Sequence, residues 1–91
     1  MRFEWDDGKA TANVRKHRVA FQEASTIFID PFFLVFADPD HSEDEERFII
    51  VGESTERRLL VVSYIESGEL VRLIRARMAT HSERESYEKD I

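Results

Sequence analysis

Leu70-Val-Arg-Leu-Ile-Arg-Ala-Arg-Met-Ala-Thr80 is the stretch whose reading decides the fold. Its β-branched and long apolar residues favour a strand, with Arg72, Arg75 and Arg77 set among them. The pattern breaks at Thr80. Thr80-His-Ser-Glu83 has the form of a capping box: the threonine side chain takes an N–H of the first turn, and the glutamate reaches back to the N–H of the cap residue. A strand rich in guanidinium groups beside a helix start is a place to hold an anion such as a phosphate. Alternation puts Arg72 on the opposite side from Arg75 and Arg77 unless a bulge intervenes. The competing reading is that long arginines merely line a solvated strand face.

Upstream, Glu66-Ser-Gly-Glu69 is a tight turn with Gly68 placed for positive φ. Arg58-Leu-Leu-Val-Val-Ser-Tyr-Ile65 is apolar on both faces and reads as a central strand. Arg47–Gly52 is a strand joined to it through Glu53–Arg57. Phe32-Phe-Leu-Val-Phe-Ala37 is a continuous apolar run whose length suits a buried strand. Short loops between these runs imply a four-stranded antiparallel meander.

The N-terminal third is different. Arg2-Phe-Glu-Trp5 alternates and predicts a short opening strand with Phe3 and Trp5 inward. Asp6 or Asp7 can cap a helix over about residues 7–17. Its apolar face is thin, with Ala10, Val14 and Ala12. It ends in Arg15-Lys-His-Arg18, where cations suit the free carbonyls and the negative end of the helix dipole. Val19–Phe28 predicts a second helix whose core face is Phe21, Ala24, Ile27 and Phe28, stopped by Asp30-Pro31. A polar helix over about Glu83–Lys89 closes the chain. The expected class is α+β: an opening strand and two helices, a four-stranded antiparallel meander, and a C-terminal helix, with the first two helices covering one sheet face.

The 91 residues predict one domain, 1–91, with a modest core. No apolar run approaches the ~20 residues that span a membrane, and the N-terminus lacks the shape of a signal peptide, so a cytoplasmic location is expected. The chain has no cysteine, which excludes disulfides, thiolate nucleophiles and Cys-ligated zinc. The net charge is −6. Asp38–Glu46, read as a loop, holds six of the nineteen acidic residues and no Lys or Arg, so the remainder is neutral, with thirteen acids against thirteen bases. Its Asp, His and Glu residues match no metal-ligand spacing, and neither a metal nor a cofactor is expected. The net charge also opposes direct DNA binding by this chain.

The chemistry-bearing residues are basic: Lys16 and His17 at a helix end, Arg47 at a strand start, and Arg72, Arg75 and Arg77. Such residues suit phosphodiester work, with arginines on the phosphate and a His or Lys moving protons. RNA supplies its own nucleophile, the 2′-hydroxyl.

Phe3-Glu-Trp-Asp6, Lys9-Ala10, Asn13, Lys16-His17, Val19, Phe21 and Glu23-Ala24 resemble the opening of the BrnT family of type II toxin–antitoxin toxins. Asp30-Pro31, Glu45-Glu-Arg-Phe48, Gly52-x-Ser54, Arg58-Leu-Leu60, Val71-Arg72, Ala76-Arg77, Ala79-Thr80, Glu83 and Tyr87 resemble its later motifs. The resemblance implies a RelE/ParE-like fold and a ribonuclease that cleaves RNA without metal by 2′-hydroxyl attack. It implies a BrnA-like ribbon-helix-helix antitoxin as partner, with DNA bound only through that antitoxin. It also implies catalytic roles for Lys16, His17, Arg72 and Arg77, the two arginines on the phosphate and Lys16 or His17 in proton transfer. Arg47 and Arg75 are then RNA-binding residues. The alternative is a catalytically inactive module that binds an antitoxin and modulates its DNA binding.

Four positions depart from the family pattern. Arg18 stands where a glycine is usual, Ala20 where a serine often caps the second helix, and Arg75 and Met78 where Ser and Lys are usual. The resemblance therefore predicts that Arg77→Ala relieves growth arrest on expression, whereas Arg75→Ser leaves toxicity intact. Colony counts after induction check both.

Overall fold

In the computed structural model, which describes residues 1–39 and 46–89, the arginine-bearing strand β5 (Leu70–Met78) is paired on both sides. The sheet order is β1-β5-β4-β3-β2, with β1 at Arg2–Glu4, β2 at Leu34–Ala37, β3 at Arg47–Glu53 and β4 at Leu59–Ser67. Strands β2 to β5 form the expected antiparallel meander, and β1 adds a fifth strand parallel to β5. Gly68 makes the β4–β5 turn at φ 61°, as its place in the sequence predicts. Strand β4 is central and buried from Leu59 to Tyr64.

The register holds the feature that periodicity left open. Ser63 pairs with Arg75 and Tyr64 with Leu73, so Ile74 is an extra residue in β5. This bulge restarts the alternation. Val71, Leu73 and Ala76 all enter the main core with Leu60, Val62 and Ile50. Arg72, Arg75 and Arg77, paired with Ile65, Ser63 and Val61, share the opposite face.

Helices α1 (Asp7–His17) and α2 (Phe21–Ser25) cover the core face. Asp6 caps α1 by accepting the Lys9 N–H at 2.9 Å. The burial of α1 differs from the expected apolar stripe: Val14 is exposed, and Asn13 is the residue taken inside. Beyond Arg72 the outer edge of β5 has no strand partner among the described residues, and α1 lies against it. The Asn13 amide donates to Ala76 O and Val19 O, both at 2.9 Å, and its carbonyl accepts the Ala76 N–H at 3.1 Å. One carboxamide thus does for the strand edge what a neighbouring strand would do.

The second helix is shorter than predicted. It gives way at Thr26 to a 3₁₀ turn, Thr26–Ile29, and Phe21, Ala24 and Ile27 are buried at the three-residue spacing that a tighter helix keeps in line. Ala20 precedes α2 without a side-chain cap. Arg18 closes α1 in the left-handed region at φ 59°, ψ 33°, which costs a residue with a Cβ about 1 kcal/mol.

The run Phe32–Ala37 is corrected most. It was expected as a buried strand, yet β2 begins at Leu34 and is outermost in the sheet, with Val35 and Phe36 exposed. An apolar run speaks for burial only when something lies on its flank. Most of the Asp38–Glu46 loop falls outside the described residues. No helix of the described residues is long and apolar enough to cross a membrane.

Helix α3 (His81–Lys89) lies on the face opposite α1 and α2, where Tyr87 packs with Val51, Leu59 and Val61. Its capping box forms as predicted: Glu83 N–H donates to Thr80 Oγ1 at 3.2 Å, and Thr80 N–H to Glu83 Oε1 at 2.8 Å. Asn13→Ala would strip partners from buried backbone groups of Ala76 and Val19, a loss of roughly 2–3 kcal/mol. Urea unfolding should show a lower midpoint with an unchanged slope.

Candidate active site

The arginine face of the sheet is only half covered. Next to α3 it remains open, and there it forms a cleft of about 330 Å³. Ile49, Val61 and Ser63 make its floor. Lys16 and His17 from the end of α1 form one wall, Arg75 and Arg77 another, and Arg47, Asp38 and Pro39 line the remainder. Lys16 and His17 follow Asn13 by three and four residues, so they share its helix face and are held by its bonds to β5.

Five of the six basic residues singled out from the sequence therefore meet: Lys16, His17, Arg47, Arg75 and Arg77. Arg72 does not join them. It is on the same sheet face but pairs with Glu4 of β1 at 2.6 Å, outside the cleft lining. Arg75 stands beside Lys16 and His17, so the tolerance expected of Arg75→Ser no longer follows.

The electrostatics are uneven. Partial burial, then Lys16, Arg75 and Arg77, push the His17 imidazole below its usual range. This favours the neutral imidazole, the form that can accept a proton. Arg77 is held in a fork by Glu83, with Nη1–Oε1 and Nη2–Oε2 both 2.8 Å. The Arg77 guanidinium, against an opposing effect of burial and with help from Thr80, lowers the Glu83 carboxyl to about 2. Glu83 thus caps α3 and fixes the arginine at the cleft.

Other polar clusters tie down the surrounding loops. Glu23, buried in α2, takes the Arg58 guanidinium and the Ser54 hydroxyl, the latter at 2.7 Å. Arg58 also donates to Arg18 O at 3.1 Å, which joins the α1–α2 turn to the β3–β4 hairpin. Asp30 accepts the Glu53 N–H and the Tyr87 hydroxyl. Burial would raise its carboxyl, but these bonds and one from the Phe32 N–H hold it below the usual range. Gly52 lies against the 3₁₀ turn, where a Cβ would come within 3.1 Å of Ile27 O.

The family model for the ribonuclease toxin BrnT of type II toxin–antitoxin systems matches residues 5–83. The chain belongs to the BrnT family. Among solved structures it is similar to the ribonuclease toxin BrnT of Brucella abortus, at 24% identity and a TM-score of 0.67. That likeness covers 89% of this chain and 99% of the other, and it shows the shared fold. No curated protein sequence matches. As a BrnT-family member of a type II system, the chain has an antitoxin as its counterpart.

The motifs that carried the resemblance divide accordingly. Glu23, Asp30, Gly52, Ser54, Arg58 and Tyr87 are scaffold, whereas Lys16, His17, Arg47 and Arg77 face the cleft. Sequence reasoning missed Ser63 on the floor, although its hydroxyl ends the aliphatic run Leu59–Val62. The pairings of Glu83 with Arg77 and Glu4 with Arg72 were also missed.

The Glu83 pair sets a pH dependence. Its folded value near 2 lies below the ordinary 4.5, so its stabilisation is complete above about pH 4.5 and is lost as pH falls towards 2. Chemical unfolding between pH 6 and 2 should show this acid loss in the wild type, and Glu83→Gln should flatten it.

Proposed function

We propose that this chain is an endoribonuclease toxin that cleaves RNA without a metal, by attack of the 2′-hydroxyl on the adjacent phosphorus. The observation that carries this reading is the convergence of His17, its neutral, proton-accepting form favoured, with Lys16, Arg47, Arg75 and Arg77 around one open cleft. His17 takes the 2′-hydroxyl proton, and the 2′-oxygen forms a bond to phosphorus as the bond to the 5′-oxygen breaks. Lys16, or water beside it, gives a proton to the leaving oxygen. Arg75 and Arg77 stabilise the charge on the equatorial oxygens. Arg47 holds a flanking phosphate. Arg72, engaged by Glu4, serves an outer backbone contact. The products are a 2′,3′-cyclic phosphate and a 5′-hydroxyl. The antitoxin that silences this activity is a ribbon-helix-helix protein of the BrnA type, and any DNA binding passes through it.

An inactive, antitoxin-binding module is the second reading, favoured by one observation: Glu83 already neutralises Arg77.

Incubation of the purified chain with RNA in excess EDTA separates the two. The nuclease reading expects cleavage with cyclic phosphate ends. His17→Ala should slow it by about a hundredfold or more, the scale of a lost general base. Because the histidine value is depressed, the acid limb of the wild-type rate profile should fall below the ordinary 6.5. Intact RNA with the wild-type chain would leave the module reading.

A further inference from the structure

The cleft does not account for the other flank of the sheet. Strand β2 ends the sheet order, so no strand of the described residues lies on its outer side. The Asp38 N–H donates to Arg47 O at 3.0 Å, which fixes the phase of the β2–β3 ladder. Leu34 and Phe36 turn their backbone groups to β3, and those of Val35 and Ala37 point outward. The flank is also apolar. Phe32 is 47% exposed, Phe33 44%, Val35 42% and Phe36 51%. Beside it, between β2 and α3, is a groove of about 200 Å³ with Leu34, Phe36, Ile49 and Val51 along it. Proteins usually blunt such an edge with lysine, proline or a covering segment. Here the large exposed side chains are three phenylalanines and a valine, with prolines only outside the strand, at Pro31 and Pro39.

Charge says what would cover it. At one end of β2, Glu53 and Glu88 line a cavity with Phe32, against a single cation there, Arg84. At the other end, the exposed Glu46 stands near Ala37, together with Arg47, which is shared with the cleft. The apolar edge thus has its carboxylates at the Phe32 end, while its groove meets the basic cleft at Ile49. A second copy would bring the same acidic end and the same net charge of −6.

We propose that an extended segment of the antitoxin, apolar along its middle and basic at the end nearest Phe32, adds to β2 as a sixth strand. Its backbone bonds to Val35 and Ala37, its apolar side chains rest on Phe36 and the groove, and its Lys or Arg residues meet Glu53 and Glu88. The proposal rests on the toxin–antitoxin reading for the existence of the partner, and not on RNA cleavage.

The probe is the protein encoded by the reading frame adjoining the gene for this chain, purified and titrated against the full chain. Ala37→Pro removes an outward N–H without touching the β2–β3 ladder, and Val35→Lys places a charge on the edge. Each should weaken binding at least tenfold while melting temperature and RNA cleavage stay at wild-type values. If Ala37→Pro fails to fold, Val35→Lys carries the test. Joint replacement Glu53→Gln and Glu88→Gln should weaken binding several-fold and flatten its salt dependence. Unchanged affinity in the edge variants overturns the proposal and leaves the partner reading standing. Wild-type self-association that Ala37→Pro abolishes, with partner affinity unchanged, assigns the edge to a second copy and also overturns it. No binding by the wild type overturns the proposal together with the partner reading. Loss of RNA cleavage with binding intact touches only the catalytic reading.

Discussion

The site depends on one carboxamide. Strand β1 covers β5 only as far as Arg72, and the rest of that edge needs both a donor and an acceptor. Asn13 supplies both to Ala76 and a further bond to Val19, which fixes where α1 ends. A leucine there would pack but leave the edge unpaired. The end of α1 then has one place to go, above the arginine face. His17 has its depressed affinity for protons because it is held there, partly buried and close to Arg75 and Arg77.

Around that joint, carboxylates, one buried and two half-buried, fasten the connecting segments. Glu23 joins three segments through Arg58 and Ser54, Asp30 joins the 3₁₀ turn to β3 and α3, and Glu83 joins α3 to β5. Each is fully engaged, which is what makes its burial tolerable. For a chain of 91 residues this is economical: the core stays small, and connections that apolar packing would otherwise secure are secured by polar groups.

What was legible in the sequence was local. The β4 run, the Gly68 turn, the α1 cap at Asp6 and the Thr80–Glu83 box each follow from neighbours within a few residues, and each formed. What was hidden was set by distant partners. Nothing near Phe32–Ala37 says that the strand is outermost, and nothing near Arg72 says that Glu4, sixty-eight residues away, will take it. The bonds of Asn13 were hidden in the same way, because a polar residue on a thin apolar face reads as solvent-facing until Ala76 is placed beside it. For the site, residue type and helix-end position drew attention to the right cluster, but membership of the cleft depended on the register of β5.

That register turns on Ile74. Before it, even-numbered side chains of β5 face the arginine side, and after it odd-numbered ones do. The extra residue is a change of parity. It lets Val71, Leu73 and Ala76 serve one surface and Arg72, Arg75 and Arg77 the other, an assignment that strict alternation forbids for this sequence. Without the offset, either the core would have to admit guanidinium groups or the sheet would have to give up its apolar contacts. The two faces of the strand are thus kept chemically distinct by counting rather than by composition, and the insertion of one side chain does the work of several substitutions.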